Sequence, residues 1–351
     1  MTSCAIHPRD ALFDAEPSGT TLPVCDHYCG VEVRMRKSLE LQAELGPVFD
    51  VTLDCEDGAP VGGEAAHAHM AAEMALSTAN RFGRVGARVH PVEHPSFGAD
   101  VATLVARAGP RLAYLMVPKP TGLADVERAC AEIDHQWRGC GHRADAMIPV
   151  HVLIETHGAL REVEAIAAHP RVESLSFGLM DFVAAHRGAI PASGMGAQGQ
   201  FTHPLVTRAK LAIAAACHGH AKTPSHCVVT EFTDLDALSL AALRASREFG
   251  YTRMWSIHPS QIRPIVAAFA PSAAEIDAAI EIINAAQDAD WAPIRHRDTL
   301  HDRASYRYFW QVLERARRTG QTLPESALLR FFADPAILPA TTAEPVRTQD
   351  H

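Results

Sequence analysis

Long hydrophobic runs are missing from this sequence of 351 residues. No apolar stretch approaches the ~18 consecutive residues that a membrane-spanning helix needs. The N-terminus, residues 1–8, also lacks the charged segment followed by an apolar segment that marks an export signal. We therefore expect a cytoplasmic protein with no membrane partner.

Positive charge is scarce as well. The chain has 32 Lys and Arg against 41 Asp and Glu, which gives a formal net charge of -9. This balance argues against a nucleic-acid partner. It leaves room for a small anionic substrate, because a local basic pocket can form on an acidic protein.

Closely paired cysteines are absent, since none of the eight cysteines forms a C-x-x-C motif. In a chain of this length without an export signal, we expect reduced and mostly buried thiols rather than disulfides.

Apolar runs that suit buried strands alternate with helix-like segments about eight times between residues 22 and 272. The sixth and seventh strands are predicted over residues 175–180 and 227–232. This alternation predicts an α/β fold, a (β/α)₈ TIM barrel, which typically takes ~250 residues. The alternative is an open doubly wound sheet, which is weakened because no G-x-G-x-x-G follows the first strand.

The ends of the chain have a different character. Residues 1–21 carry Pro, Ser, Gly and Thr without periodicity and are predicted to be a flexible arm, and residues 335–351 a flexible tail. Residues 273–334 are predicted to form a C-terminal helical extension. It holds a cluster of four aromatic residues: Tyr306, Tyr308, Phe309 and Trp310. Such a cluster needs a partner surface, either its own barrel or a neighbouring subunit.

Two carboxylates follow predicted strands of one strand–helix–strand unit. An apolar run ending at Ile154 is followed by Glu155, and the run over residues 175–180 by Asp181. Parallel strands place both acids at the same edge, the catalytic edge of a barrel. They suit Mg²⁺, which prefers oxygen ligands. Alternatively, either acid caps the helix after its strand.

Other charged side chains also follow predicted strands: Glu56, Asp57, Arg88, Lys119, Glu231 and His258. We take Arg88 and Glu56 as candidate catalytic residues. The planar Arg88 guanidinium can donate paired hydrogen bonds to a carboxylate or to a developing enolate oxygen. Alternatively, it forms a salt bridge to Glu56 or Asp57 that supports the barrel. Lys119 either contacts a phosphate or pairs with an acid.

Five motifs occur in an order and spacing that resemble one known family across about residues 22–305. They are Asp54-Cys-Glu-Asp-Gly-Ala-Pro60, Met116-Val-Pro-Lys119, Leu153-Ile-Glu-Thr156, Phe177-Gly-Leu-Met-Asp181 and Ile257-His-Pro-Ser-Gln261. The sequence is similar to citrate lyase β-subunit-like proteins of the HpcH/HpaI aldolase superfamily, which also holds malyl-CoA and citramalyl-CoA lyases.

The resemblance implies a TIM barrel that binds Mg²⁺, with Mn²⁺ as a substitute, through Glu155 and Asp181. It implies that Arg88 contacts the substrate oxyanion during carbon–carbon cleavage or condensation of a 3-hydroxyacyl-CoA through a metal-stabilised enolate. The CoA thioester would be substrate rather than bound cofactor. A CoA-independent aldolase of an α-keto or hydroxy acid, or a non-catalytic metabolite-binding subunit, are the alternatives.

Further site residues also come from the resemblance. Lys37, preceded by Arg36, stands near where relatives keep a phosphate-contacting lysine, and the alternative is a solvated helix face. Asp302 is similar in position to an acid/base aspartate that CoA-using relatives supply from a neighbouring subunit, which implies a homo-oligomer, a trimer or hexamer. Within the predicted first strand, residues 22–29, the segment over residues 25–30 departs from the family pattern, and so does the glycine-rich loop over residues 188–199.

Overall fold

The computed structural model describes residues 6–13, 21–231 and 233–332. The strands in these ranges are β1 (Cys25–Cys29), β2 (Phe49–Asp54), β3 (Val85–Arg88), β4 (Leu115–Val117), β5 (Val150–Ile154), β6 (Val172–Phe177), β7 (Thr223–His226), β8 (Arg253–Ser256), β9 (Ile294–His296) and β10 (Thr299–His301). The α-helices are α1 (Pro8–Phe13), α2 (Glu32–Leu45), α3 (Glu64–Leu76), α4 (Phe97–Ala108), α5 (Leu123–Gly139), α6 (His157–Arg161), α7 (Val163–Ala168), α8 (Leu179–Ala184), α9 (Pro204–Gly219), α10 (Leu235–Arg247), α11 (Ile262–Phe269), α12 (Ala273–Asp288), α13 (Arg303–Arg318) and α14 (Glu325–Phe331).

Strands β1 to β8 pair in chain order and close into a parallel barrel. Closure is visible at Cys25, which aligns with Phe49 on β2 and with Met254 on β8. The predicted (β/α)₈ barrel is therefore confirmed, and it brings the carboxyl ends of all eight strands to one rim.

The two faces of each barrel strand carry different residues, because side chains alternate along a strand. On β2, Val51 and Leu53 belong to the large apolar core, which also contains residues of the surrounding helices. Asp50 and Thr52 alternate with them on the face that contacts the other strands' polar side chains inside the barrel.

The inside of the barrel holds a buried ion cluster. The guanidinium of Arg253 lies 2.6 Å from Asp50 and 3.0 Å from Asp26, and all three side chains are inaccessible to solvent. Tyr114 lies beside them and its hydroxyl donates to Asp26 over 3.0 Å. Gly86 makes room for that ring, since a Cβ at Gly86 would lie 2.3 Å from it.

Above the ion cluster, closer to the carboxyl ends of the strands, lies a layer of larger side chains. It consists of Tyr28, Met116, Leu153 and Trp255, from β1, β4, β5 and β8. Tyr28 and Trp255 each follow a residue of the ion cluster by two positions, as expected for side chains on the same face of a strand. This layer forms the floor beneath the strand ends.

The described chain clusters into two compact units. One contains the barrel up to Pro271 together with residues 318–320, and the other contains α1 and the remaining described residues from Ser272 onward. The second unit has its own apolar core, in which Leu12, Tyr306 and Trp310 are at most 1% exposed. The division into folding domains stays a prediction.

Two expectations about the chain ends need correction. Residues 8–13 form a helix whose Leu12 is fully buried, so this part of the predicted flexible arm is ordered by apolar packing. Tyr306 and Trp310 pack into the core of their own unit, so this part of the aromatic cluster has a partner surface already. The predicted tail, residues 335–351, lies outside the described residues.

Two barrel strands lie earlier in the chain than predicted. Strand β6 ends at Phe177, and residues 179 and 180 belong to α8 instead. Strand β7 is Thr223–His226 rather than residues 227–232, of which residue 232 lies outside the described residues.

The expectations about thiols and apolar helices can be checked within the described ranges. All seven described cysteines are free, and only Cys140 among them is exposed, so the predicted burial is confirmed for the other six, whereas their reduced state stays a prediction. A helix with the length and hydrophobicity of a membrane span does not occur in the described part of the chain.

Candidate functional site

A cavity of about 340 Å³ opens at the carboxyl ends of the barrel strands. Its charged wall residues are Arg34, Asp54, Asp57, Arg88, Glu155 and Asp181. Its less polar wall includes Tyr28, Val228 and Trp255, of which the two aromatic residues belong to the floor layer. Charged groups of both signs therefore converge over an apolar floor.

Glu155 and Asp181, the predicted metal ligands, line this same cavity. Glu155 follows β5 directly and is 3% exposed, whereas the Asp181 side chain is 44% exposed in the first turn of α8. Burial raises the pKa of the Glu155 carboxyl to about 8, and the negative charge of Asp181 adds to this. The two acids are thus close enough to repel each other, and a cation bound between them would relieve this repulsion.

Two backbone features position Glu155. Lys119, between two prolines, has a φ of 49°, a left-handed conformation that side-chain-bearing residues adopt rarely. In this conformation its backbone N–H donates to Glu155 Oε1 over 2.7 Å. On the other side, Gly178 allows a close approach, because a Cβ there would lie only 2.1 Å from Glu155 Oε2.

Arg88, at the end of β3, is held by two acids. Its Nε and one terminal nitrogen donate to the two oxygens of Asp54 over 2.7 and 2.5 Å, and the other terminal nitrogen lies 3.0 Å from Glu56 Oε2. A guanidinium carries five N–H groups, so donors are left over for a ligand. The salt bridge to Glu56 was one of the two predicted alternatives; the bidentate partner Asp54 was missed.

Lys119 joins several of the predicted site residues. Its ammonium group lies 2.5 Å from Glu56, 2.7 Å from Asp57 and 3.8 Å from Asp181. Of the two alternatives for this lysine, pairing with acids is what the structure has. Together with Arg88 it offsets part of the negative charge of the acids around the cavity.

Some predicted site residues lie elsewhere. On α2, Arg36 pairs with Glu32 and Lys37 with Glu40, and both basic side chains are more than 60% exposed. Arg34 of the same helix lines the cavity instead. A role of Arg36 or Lys37 in binding CoA phosphates stays a prediction.

Glu231 and His258 were also expected at strand ends. Glu231 lies five residues beyond β7 and accepts the backbone N–H of Ala197 over 3.2 Å, so it anchors the glycine-rich loop. His258 precedes a turn of 3₁₀ helix and its side chain accepts from the backbone N–H of Ser260. Neither side chain lines the cavity.

Asp302 belongs to the second unit and lies just before α13. Its Oδ1 accepts the backbone N–H of Ala304 over 3.0 Å, as helix-capping aspartates do. A role as acid/base in a neighbouring subunit stays a prediction.

In the described ranges, no three His, Cys, Asp or Glu side chains lie close enough together to hold a metal ion by themselves. A pair of carboxylates is nevertheless a usual protein contribution to a Mg²⁺ site, because Mg²⁺ keeps several waters or substrate oxygens.

The comparisons with known proteins place the chain in a family. A family model described as HpcH/HpaI aldolase/citrate lyase matches residues 48–247. A solved citrate lyase from Burkholderia xenovorans is 53% identical, covers 93% of this chain and all of its own, and superposes with a TM-score of 0.81. The chain belongs to the HpcH/HpaI aldolase/citrate lyase family, as its motifs predicted.

More distant relatives have named activities or bound ligands. An L-malyl-CoA/β-methylmalyl-CoA lyase from Cereibacter sphaeroides is 30% identical over 213 residues, which are 58% of this chain and 65% of that protein. The match thus spans slightly less than two thirds of that lyase. The CitE protein from Mycobacterium tuberculosis, solved with magnesium, acetoacetate and coenzyme A, shares the fold with a TM-score of 0.64, at 19% identity over 86% of this chain and 99% of its own.

Proposed function

We propose that the protein is a Mg²⁺-dependent carbon–carbon lyase that cleaves or forms a 3-hydroxyacyl-CoA such as malyl-CoA. The observation that carries this proposal is the convergence of Glu155 and Asp181 on one cavity beside Arg88. The family supports the reaction class, and the magnesium and coenzyme A bound to CitE support the metal and a CoA-containing substrate. A cytoplasmic homo-oligomer remains our expectation for the assembly and location.

The donor set fits a hard divalent cation. Both proposed ligands supply carboxylate oxygens. Burial and the charge of Asp181 raise the pKa of Glu155, a cost of ionisation that a bound cation would offset. When bound, Mg²⁺ would supply Lewis-acid polarisation of the hydroxyl and carboxylate oxygens of the substrate. Glu155 and Asp181 would hold it, with the Lys119 backbone N–H fixing the Glu155 side chain.

Arg88 is proposed to stabilise the negative charge that develops on the acyl oxygen as the carbon–carbon bond breaks. Fixed donors that point at a developing oxyanion stabilise a transition state without reorganisation. The bidentate contact to Asp54 holds the guanidinium in one orientation. Glu56 is clamped between Arg88 and Lys119, which suits a residue that orients the two cations.

The test is an assay of the purified full chain with L-malyl-CoA, in excess Mg²⁺ and in EDTA. Cleavage between the hydroxyl-bearing carbon and the adjacent methylene must give glyoxylate and acetyl-CoA in equal amounts. We expect both products, only with Mg²⁺, and the reverse condensation under the same conditions.

Other outcomes would replace the proposal. Malate and free CoA as products would indicate thioester hydrolysis, and equal turnover of the CoA-free hydroxy acid would indicate the free-acid aldolase. Binding of Mg²⁺ and α-keto acids without any turnover would indicate a non-catalytic subunit.

Mg²⁺ affinity is expected to depend on pH. With the pKa of Glu155 raised to about 8, the metal-free carboxyl is mostly protonated at neutral pH, and Mg²⁺ must displace that proton. Affinity should therefore rise with pH, on the order of twentyfold between pH 6.5 and 8.5. Calorimetric titrations in two buffers of different ionisation enthalpy should show about one proton released per Mg²⁺ at pH 7. A flat profile would contradict a role for Glu155 as ligand.

Gly178→Ala is expected to weaken Mg²⁺ binding on the order of ten- to a hundredfold, as changes beside metal ligands do. The new methyl group would collide with Glu155 Oε2 and lie 2.5 Å from Glu155 Cβ, so the carboxylate must move. Gly98→Ala on α4 is the matched control, since a Cβ there meets nothing within 4 Å. Isothermal titration of both variants with Mg²⁺ measures the effect, and equal affinities would show that Glu155 is not held by this contact.

A further inference from the structure

Two polar atoms in the cavity wall lack hydrogen-bond partners. Within the described residues, the Tyr28 hydroxyl and the Trp255 indole Nε1 are buried and have no partner. Both side chains line the cavity and are 7% exposed. Buried polar groups in native proteins are almost always paired, so each unpaired one calls for an explanation.

The two atoms lie on the same part of the wall. The rings of Tyr28 and Trp255 stack with centroids 4.3 Å apart and planes inclined by 28°. The guanidinium carbon of Arg88 lies 5.3 Å from the centre of the Tyr28 ring. Tyr28 therefore lies next to the cation that is proposed to contact the substrate's acyl oxygen, and Trp255 stacks on Tyr28.

The chemistry of the pair selects an acceptor. An indole N–H can only donate, and a phenol donates when it is neutral. Burial raises the pKa of Tyr28 well above its usual value, with the charge of Asp26 adding to this, so the phenol is neutral at physiological pH. A ligand that satisfies both groups must present hydrogen-bond acceptors, a role that carbonyl and carboxylate oxygens fill.

The apolar residues around the two rings further restrict the chemical class of the ligand. Met116 and Leu153 pack with the two aromatic rings, and Val228 packs against the same cluster and lines the cavity. The part of the ligand that lies here is therefore apolar apart from its acceptor. An acyl methylene next to a carbonyl or carboxylate has this character.

We propose that Tyr28 and Trp255 are substrate-binding residues, which donate hydrogen bonds to the carbonyl-type oxygens at the end of the substrate remote from Glu155 and Asp181. These oxygens belong either to the thioester of a CoA substrate or to the second carboxylate of a free four-carbon acid. The inference rests on the proposed function, because that function places the hydroxy-acid end of the substrate at the two carboxylates.

The test compares L-malate with L-lactate, which differ only in whether they carry the second carboxylate. Both are titrated calorimetrically into the Mg²⁺-saturated full chain and into its Tyr28→Phe and Trp255→Phe variants. Loss of one hydrogen bond should weaken malate binding by about 5- to 30-fold. Lactate binding should stay within about twofold, since a contact outside its reach is removed.

Thermal unfolding separates a binding role from a structural one. Removing an unpaired buried hydroxyl should leave the Tm of ligand-free Tyr28→Phe unchanged or higher. Tyr251→Phe is the matched control, because its buried hydroxyl donates to the Lys210 carbonyl over 3.0 Å. That control should lower the Tm and leave malate affinity unchanged. Trp137→Phe serves likewise, since Trp137 Nε1 donates to the Arg143 carbonyl.

Comparing the KM for L-malyl-CoA with the affinity for malate identifies which substrate supplies the acceptor oxygens. A rise of KM for L-malyl-CoA in the variants points to the thioester, and an effect on malate alone points to the free acid; either result supports the inference. Unchanged malate affinity and KM, while wild-type protein cleaves malyl-CoA, would overturn this inference alone. Wild-type protein that neither binds these acids with Mg²⁺ nor cleaves L-malyl-CoA would overturn it together with the proposed function.

Discussion

Replacing Glu155 with glutamine is expected to lower the Mg²⁺-dependent kcat/KM for L-malyl-CoA by about a thousandfold, the scale of a lost metal contribution. The substitution keeps the shape of the side chain and its acceptor for the Lys119 backbone N–H, but removes the negative charge. Steady-state kinetics over a range of Mg²⁺ concentrations measure the loss. A variant that keeps Mg²⁺-dependent turnover within tenfold of wild type would show that Glu155 is not a metal ligand.

Thermal unfolding supplies a second readout that does not need a substrate. Mg²⁺ at about a hundred times its Kd should stabilise the wild-type protein by about 2.7 kcal/mol, and Glu155→Gln should lose this response. Without metal the variant should be at least as stable at pH 8.5, because the buried charge facing Asp181 is gone. Glu132→Gln, on α5 and hydrogen-bonded to Gln136, is the matched control and should keep both turnover and the Mg²⁺ response.

The convergence of Glu155 and Asp181 was predictable because parallel strands share a carboxyl edge. The local structure at Asp181 was not, because a short apolar run reads equally as a strand or as the buried side of a helix. Here the strand stops at Phe177, and Gly178, which approaches the Glu155 carboxylate closely, precedes α8. A carboxylate in the first turn of a helix still ends up at the rim of the barrel, so the wrong boundary did not displace it.

Strand β7 was placed wrongly because its sequence, Thr-Pro-Ser-His, opposes the usual strand composition. Proline lacks the N–H that a central strand needs and is rare there. Ser225 nevertheless pairs with Ser176 on β6 and Arg253 on β8, because closure of the barrel requires a strand at this place. A constraint imposed by the whole barrel is not visible in the segment itself.

Three wall residues, Asp54, Tyr28 and Trp255, were missed although a signal for them exists. Each follows a buried charged residue of the barrel interior on the same strand face. Asp54 follows Asp50 by four positions, whereas Tyr28 follows Asp26 and Trp255 follows Arg253 by two. The sequence alone does not tell which strand face lies inside, since charged residues inside a barrel contradict the expectation of an apolar interior. Once Arg253 is known to neutralise the two aspartates, alternation along the strands assigns all three.

Arg253→Met is expected to destabilise the barrel by about 3–5 kcal/mol, because it leaves buried charges without their partner. Arg253 is fully buried and contacts both Asp26 and Asp50, as well as the Pro23 carbonyl over 3.0 Å. The loss should lower the Tm on the order of 10 °C. Thermal and urea unfolding measure it, and the surface variant Arg263→Met, whose pair with Glu44 is exposed, should change stability by less than about 1 kcal/mol.

The double variant Arg253→Met/Asp26→Asn distinguishes charge from lost packing. Asparagine keeps an acceptor for the Tyr114 and Thr52 hydroxyls but carries no charge, and Asp50 still has Arg84 at 2.8 Å. If unpaired charge causes the instability, the double variant should be more stable than Arg253→Met alone, with a coupling of about 1–3 kcal/mol. A double variant less stable than either single variant would instead assign the role of Arg253 to the volume and contacts of its side chain, and the ion cluster would carry no net stabilisation.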